Sequence, residues 1–97
     1  MTTDFTSIYN HHERIIFGAV MDYASNYPDI RDDDDLLADV ACVALNRLPP
    51  RYIRHEVDFV FYLTDRERHE MDLATKEAVG YAFEFVAARA ALRARQQ

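Results

Sequence analysis

The sequence predicts a mainly α fold with one short β-strand. Apolar residues recur at helical spacing in three separate stretches. Only two Gly and three Pro occur in 97 residues, too few for the many turns of a sandwich or barrel. One run alone, Val57 to Leu63, alternates in the manner of a strand. At this length the chain is expected to form a single domain over residues 1–97. Its core should be thin, because chains of this size bury only roughly 60–65% of their unfolded surface.

The first helix is expected from about Ser7 to Tyr23, with Ile8, Ile15, Ile16, Ala19, Val20 and Tyr23 on one stripe. Ser7 is placed to cap it, and Asn26-Tyr27-Pro28 ends it, since proline disfavours a helical residue before it. The second helix has the cleanest pattern: Leu37, Val40, Ala41, Ala44, Leu45 and Leu48. The aspartates before it supply an N-cap and favourable charge at the positive end of the helix dipole, and Pro49-Pro50 stops it. In the run that follows, Val57, Phe59, Phe61 and Leu63 alternate with the rest, β-branched and aromatic. A lone strand cannot satisfy its own backbone. Pairing with the same strand of a second subunit is the economical expectation, an irregular partner within the chain the alternative.

The last helix opens with a capping box, Thr64-Asp65-Arg66-Glu67, and extends to about Arg93, with a bend or break expected near Gly80. Met71, Ala74, Ala78, Tyr81, Phe85, Ala88 and Leu92 form a heptad-like seam, and Val79, Phe83, Val86 and Ala90 lie beside it. On a helix of roughly 45 Å this apolar surface exceeds what two short helices cover, so a homodimer is expected.

Composition bounds the function. The single cysteine, Cys42, excludes an internal disulfide and a cysteine-rich zinc module, and its apolar neighbours predict a core position. No apolar run reaches the roughly 18 residues of a membrane span, and Met1-Thr2-Thr3-Asp4-Phe5 lacks the basic and apolar regions of a signal peptide. The cytoplasm is the expected compartment, and no membrane association is expected. A net charge of -6 argues against direct nucleic-acid binding, which depends on neutralising phosphates. No Gly-rich phosphate loop, no Gly-x-Ser-x-Gly elbow and no histidine paired with an obvious nucleophile is present, so a non-enzymatic protein is expected.

Charge is nonetheless uneven. Six aspartates crowd Asp29 to Asp39, whereas Arg47, Arg51 and Arg54 share a stretch free of acids. Guanidinium forks bind phosphate bidentately and stack on purine faces, and Tyr52 adds a stacking ring. This chemistry suits a dianionic ligand with two purines. The alternative pairs the same arginines with Asp32–Asp35 and Asp39. Asn46 is either a C-terminal helix cap or a ligand hydrogen-bonding group. Asp32–Asp35 lacks the interleaved spacing and the glycine of a calcium loop, which favours acidic capping over a divalent cation. His11 and His12, adjacent on a helix, point about 100° apart and cannot share a metal from one face.

The segment Asp39-Val40-Ala41-Cys42-Val43-Ala44-Leu45-Asn46-Arg47-Leu48-Pro49-Pro50-Arg51-Tyr52 resembles the late competence development protein ComFB family, whose signature reads approximately Ala-Leu-Asn-x-Leu-Pro-Pro-Lys/Arg-Tyr after an apolar helix. Tyr9-Asn10-His11-His12-Glu13 is similar to the Asn-x-x-Glu opening of the family's first helix, so the resemblance covers roughly residues 8 to 90. It implies a small ComFB-like helical domain that forms homodimers. It also implies a receptor for a cyclic dinucleotide, cyclic di-GMP or cyclic di-AMP, as some members are. Related members carry a cysteine cluster suited to zinc before the second helix. Here that stretch is Asp29-Ile30-Arg31-Asp32-Asp33-Asp34-Asp35, so no cofactor is expected.

Together these readings give a receptor that binds a cyclic dinucleotide, cyclic di-GMP first, through Asn46, Arg47, Arg51, Tyr52 and Arg54 and signals to a protein partner. The alternative is a constitutive protein–protein adaptor with no nucleotide ligand.

Overall fold

A computed structural model describes residues 2–96. In chain order the elements are β1 (Tyr9–Asn10), α1 (His12–Tyr23), a 3-10 turn (Ala24–Asn26), α2 (Pro28–Arg31), α3 (Asp34–Asn46), β2 (Tyr52–Ile53), α4 (Glu56–Phe61) and α5 (Asp65–Arg95). The fold is mainly α, as expected, with one two-stranded antiparallel sheet in which Tyr9 faces Ile53 and Asn10 faces Tyr52.

Helix α3 forms where its pattern placed it. Asp33 is its N-cap, in extended backbone, with its carboxylate accepting the Leu36 N–H at 3.1 Å. Asp34 and Asp35 lie in the first turn, where the helix dipole favours them. Leu37, Val40, Ala41 and Ala44 are buried, and the helix ends ahead of Pro49-Pro50. The capping box of α5 is also present: the Thr64 hydroxyl oxygen accepts the Glu67 N–H at 3.1 Å and donates to the Glu67 carboxylate at 3.2 Å.

Three expectations are corrected. The strand expected over Val57–Leu63 is helix α4 over most of its length. Phe61 and Val57 are both 80% exposed, so the alternation tracks no buried face. A short helix satisfies its own backbone where no neighbouring strand is at hand. The strands lie elsewhere, within the chain. β1 occupies the start of the expected first helix, so α1 begins at His12 rather than near Ser7, and Ile8 is exposed.

The third correction concerns α5, which runs unbroken through Gly80. Its buried face is Thr75, Ala78, Val79, Ala82, Phe83 and Val86. The core therefore uses the secondary stripe of Val79, Phe83 and Val86, while Tyr81, Phe85 and Leu92 of the heptad-like seam are exposed. Helices α1 and α3 both pack on this face, with Ile16 and Val20 from α1 and Val40 and Ala44 from α3. Small residues of α5 (Ala78 and Ala82) and of α3 (Ala41 and Ala44) are buried in the same core, in which Phe83 is fully buried. Its ring stacks on Tyr27 at 4.9 Å and meets Tyr23 at 5.5 Å. Among the described residues, no helix is long and apolar enough to cross a membrane.

Candidate functional site

Helix α3 delivers the chain to Arg47, its C-cap, and Leu48 closes the last turn through a hydrogen bond to the Leu45 carbonyl. Pro49 and Pro50 offer no N–H and hold φ near its fixed value, so the segment leaves the helix in a stiff extended form. Arg51 follows and is fastened at both backbone groups. Its N–H donates to Asn10 Oδ1 at 3.1 Å, and its carbonyl accepts the His11 N–H at 2.7 Å. The same Asn10 Oδ1 accepts the His12 N–H at 3.2 Å. One side-chain oxygen thus closes an Asx turn at the entry to α1 and pins Arg51.

The five predicted site residues lie on this segment and its flanks, but their side chains diverge. Arg47 turns to α5: its guanidinium lies 3.9 Å from the centre of the Tyr81 ring and 3.8 Å from the Glu77 carboxylate. Arg51 turns to α4, with its guanidinium 4.8 Å from the Phe59 ring centre. Tyr52, 68% exposed, and Arg54 are turned to solvent. Asn46 donates to Cys42 Sγ one turn back, at 3.8 Å. Among the described residues none has a positive φ, so Asn46 is not a left-handed cap. Cys42, expected in the core, is exposed. The expected pairing of the arginines with the aspartate run is also not found: among the described residues no salt bridge joins Arg47, Arg51 or Arg54 to Asp32–Asp35 or Asp39, and Arg31 meets Asp32 instead, at 3.5 Å.

Arg51 alone of the five lines the cleft of ≈ 360 Å³ between the diproline segment and the start of α5, together with His12, Pro49, Pro50, Glu67 and Glu70. Both glutamates are already engaged, Glu70 by Arg66 at 3.1 Å and Glu67 by the Thr64 hydroxyl.

Beneath Arg51 lie two buried histidines, which sequence reasoning considered only as metal ligands. His11 is 5% exposed and His12 9%. Their rings are 5.8 Å apart, and His11 packs on Phe59 at 4.4 Å. Burial holds the pKa of both below the usual imidazole value. For His11, Glu56 opposes the shift and Arg51 adds to it. For His12, the His11 and Arg51 charges add to it, and a hydrogen bond to the Pro49 carbonyl opposes it. Asn10 was quoted only as part of a motif. Part of the signal was present, since Asn commonly bonds the backbone N–H two residues on in an Asx turn, but the second bond, to Arg51 across 41 positions, is tertiary. Among the described residues no group of three or more His, Cys, Asp or Glu side chains is arranged to hold a metal ion.

No curated protein matches the chain, and no solved structure does. The family model of the late competence development protein ComFB matches residues 9–90, from the first residue of β1 to the last turns of α5. The match takes in the pinned Arg51 segment and the Asn10 that pins it: the chain belongs to the ComFB family.

Proposed function

We propose that this ComFB protein is a non-enzymatic receptor for a cyclic dinucleotide, cyclic di-GMP first, acting in the cytoplasm as a homodimer that signals to a protein partner. The observation that carries the reading is the Arg51 segment: a guanidinium on a backbone held by two prolines and by Asn10, flanked by Tyr52, Arg47 and Arg54. Preorganisation of this kind lowers the ordering entropy of binding. Arg47 on Tyr81 and Arg51 on Phe59 are cation–π pairs, a geometry that a purine face can take over from the ring. Dimer formation is supported by the exposed stripe Leu73, Tyr81, Phe85 and Leu92 on α5. The ligand would act by population shift, binding one dimer arrangement better than another. A ligand that binds only the folded state raises its melting temperature. Cyclic di-GMP should therefore stabilise the protein in a concentration-dependent way, and no shift at concentrations well above micromolar removes the reading.

The adaptor reading is favoured by a different observation. Val57, Phe61 and Tyr62 on and beside α4 are all about four-fifths exposed, an apolar edge of the kind that protein interfaces cover. It predicts a partner complex whose affinity is indifferent to any cyclic dinucleotide.

A further inference from the structure

We infer that His11 and His12 are a proton-responsive clasp on the Arg51 segment: neutral, they hold it down, and protonated, they release it. The inference rests on placement. The pair joins β1 to α1 under the diproline turn, and three hydrogen bonds from backbone N–H groups hold the junction: Arg51 N–H to the Asn10 side chain, His11 N–H to the Arg51 carbonyl, and His12 N–H to the Asn10 side chain. The His11 ring and the Arg51 guanidinium share one aromatic partner, Phe59, at 4.4 and 4.8 Å. A proton on His11 thus places a second cation near Arg51, on a ring that is itself buried.

The surroundings decide the sign. On α4, Glu56 faces His11 and favours the protonated form, but it is shared with Arg14 at 3.7 Å. On α5, Asp72 and Arg68 line the same cavity with opposite charges. Glu67 and Glu70 face His12 across the cleft, occupied by Thr64 and Arg66. Glu13 lies on α1 itself, next to His12. Most nearby carboxylates are therefore committed, Arg51 and Arg68 oppose a further positive charge, and burial opposes it most, in keeping with the downward shift of both imidazoles. Protonation is relieved by opening the segment to water. As a regulation of ligand binding the clasp rests on the function proposed above. As a property of the fold it needs no ligand.

The test is a pH titration of the isotope-labelled full chain by NMR from about pH 8 to about pH 5, the range in which imidazoles titrate. The His11 and His12 ring resonances and the Arg51 backbone amide are followed. The Arg51 amide should shift with the midpoint of His11 or His12, below that of a free imidazole. The response should vanish in His11→Gln/His12→Gln and survive in Glu56→Gln. An Arg51 amide that stays still while His11 and His12 titrate overturns the clasp, as does an unchanged response in the double variant. If that variant fails to fold, the wild-type midpoints alone decide. Failure of cyclic di-GMP to bind leaves this result untouched, so the two readings fail separately.

Discussion

Replacing Asn10 by Ala tests how the candidate site is built. Asn10 Oδ1 accepts two backbone N–H groups, from Arg51 at 3.1 Å and His12 at 3.2 Å, and Ala removes both acceptors at once. A net hydrogen bond contributes about 0.5–1.5 kcal/mol. His12 is buried, so its N–H is left without water, whereas Arg51 is exposed and recovers part of its loss by hydration. The sum is about 1–2.5 kcal/mol. For a domain of this size that lowers the melting temperature by roughly 4–20 °C, at about 4–8 °C per kcal/mol. Urea unfolding followed by far-UV circular dichroism measures it, with Asn10→Asp, which keeps an acceptor in place, as the control. An Asn10→Ala protein within about 0.3 kcal/mol of wild type, well inside the error of the hydrogen-bond scale, would refute the view that this oxygen holds the segment.

Further outcomes follow from the same structure. Phe83→Ala should cost about 3–5 kcal/mol in denaturant unfolding, because a fully buried ring stacked on Tyr27 leaves a cavity between α1, α3 and α5. Gly80→Ala should stabilise by about 0.5–1 kcal/mol, since Gly80 is interior to α5 and nothing lies within 4 Å of an added Cβ; a destabilised variant would mean that α5 bends there. Stability should also fall as the medium is acidified. The folded-state pKa values of His11 and His12 lie below the unfolded value of 6.5, so the unfolded chain binds more protons in that window. Folding free energy is therefore lost as pH drops below about 6.5 and levels off once both folded histidines are protonated. In His11→Gln/His12→Gln that slope should be flatter, as measured by urea unfolding at a series of pH values.

Much of this was legible in the residues. Helix α3 and the start of α5 are fixed locally, by an aspartate cap, a Thr64–Glu67 box and a Pro-Pro stop, and local signals of that kind survive into the fold. The Val57–Leu63 run was misread because alternation over so few residues also fits a short helix, in which of the run only Phe59 is partly buried. β1 was hidden because two residues carry no periodicity, and Ile8 falls in phase with the helix that follows. On α5 two apolar stripes lie about 100° apart, and the sequence cannot say which one faces α1 and α3. The buried face takes Ala78 from one stripe and Val79, Phe83 and Val86 from the other, with Thr75 and Ala82, which belonged to neither. The arginines, Tyr52 and Asn46 were located as a segment, but their divergence is tertiary: it depends on Tyr81 and Phe59, brought from α5 and α4.

The most direct test of the account is titration calorimetry of the full chain with cyclic di-GMP, wild type against Arg51→Ala, at two temperatures so that a vanishing enthalpy is not mistaken for no binding. A charge-assisted hydrogen bond from Arg51 to phosphate contributes about 1.5–3 kcal/mol. The account therefore predicts saturable binding to wild type and a roughly 10–150-fold weaker affinity in the variant. No heat at either temperature, or equal affinity in the two proteins, would contradict it.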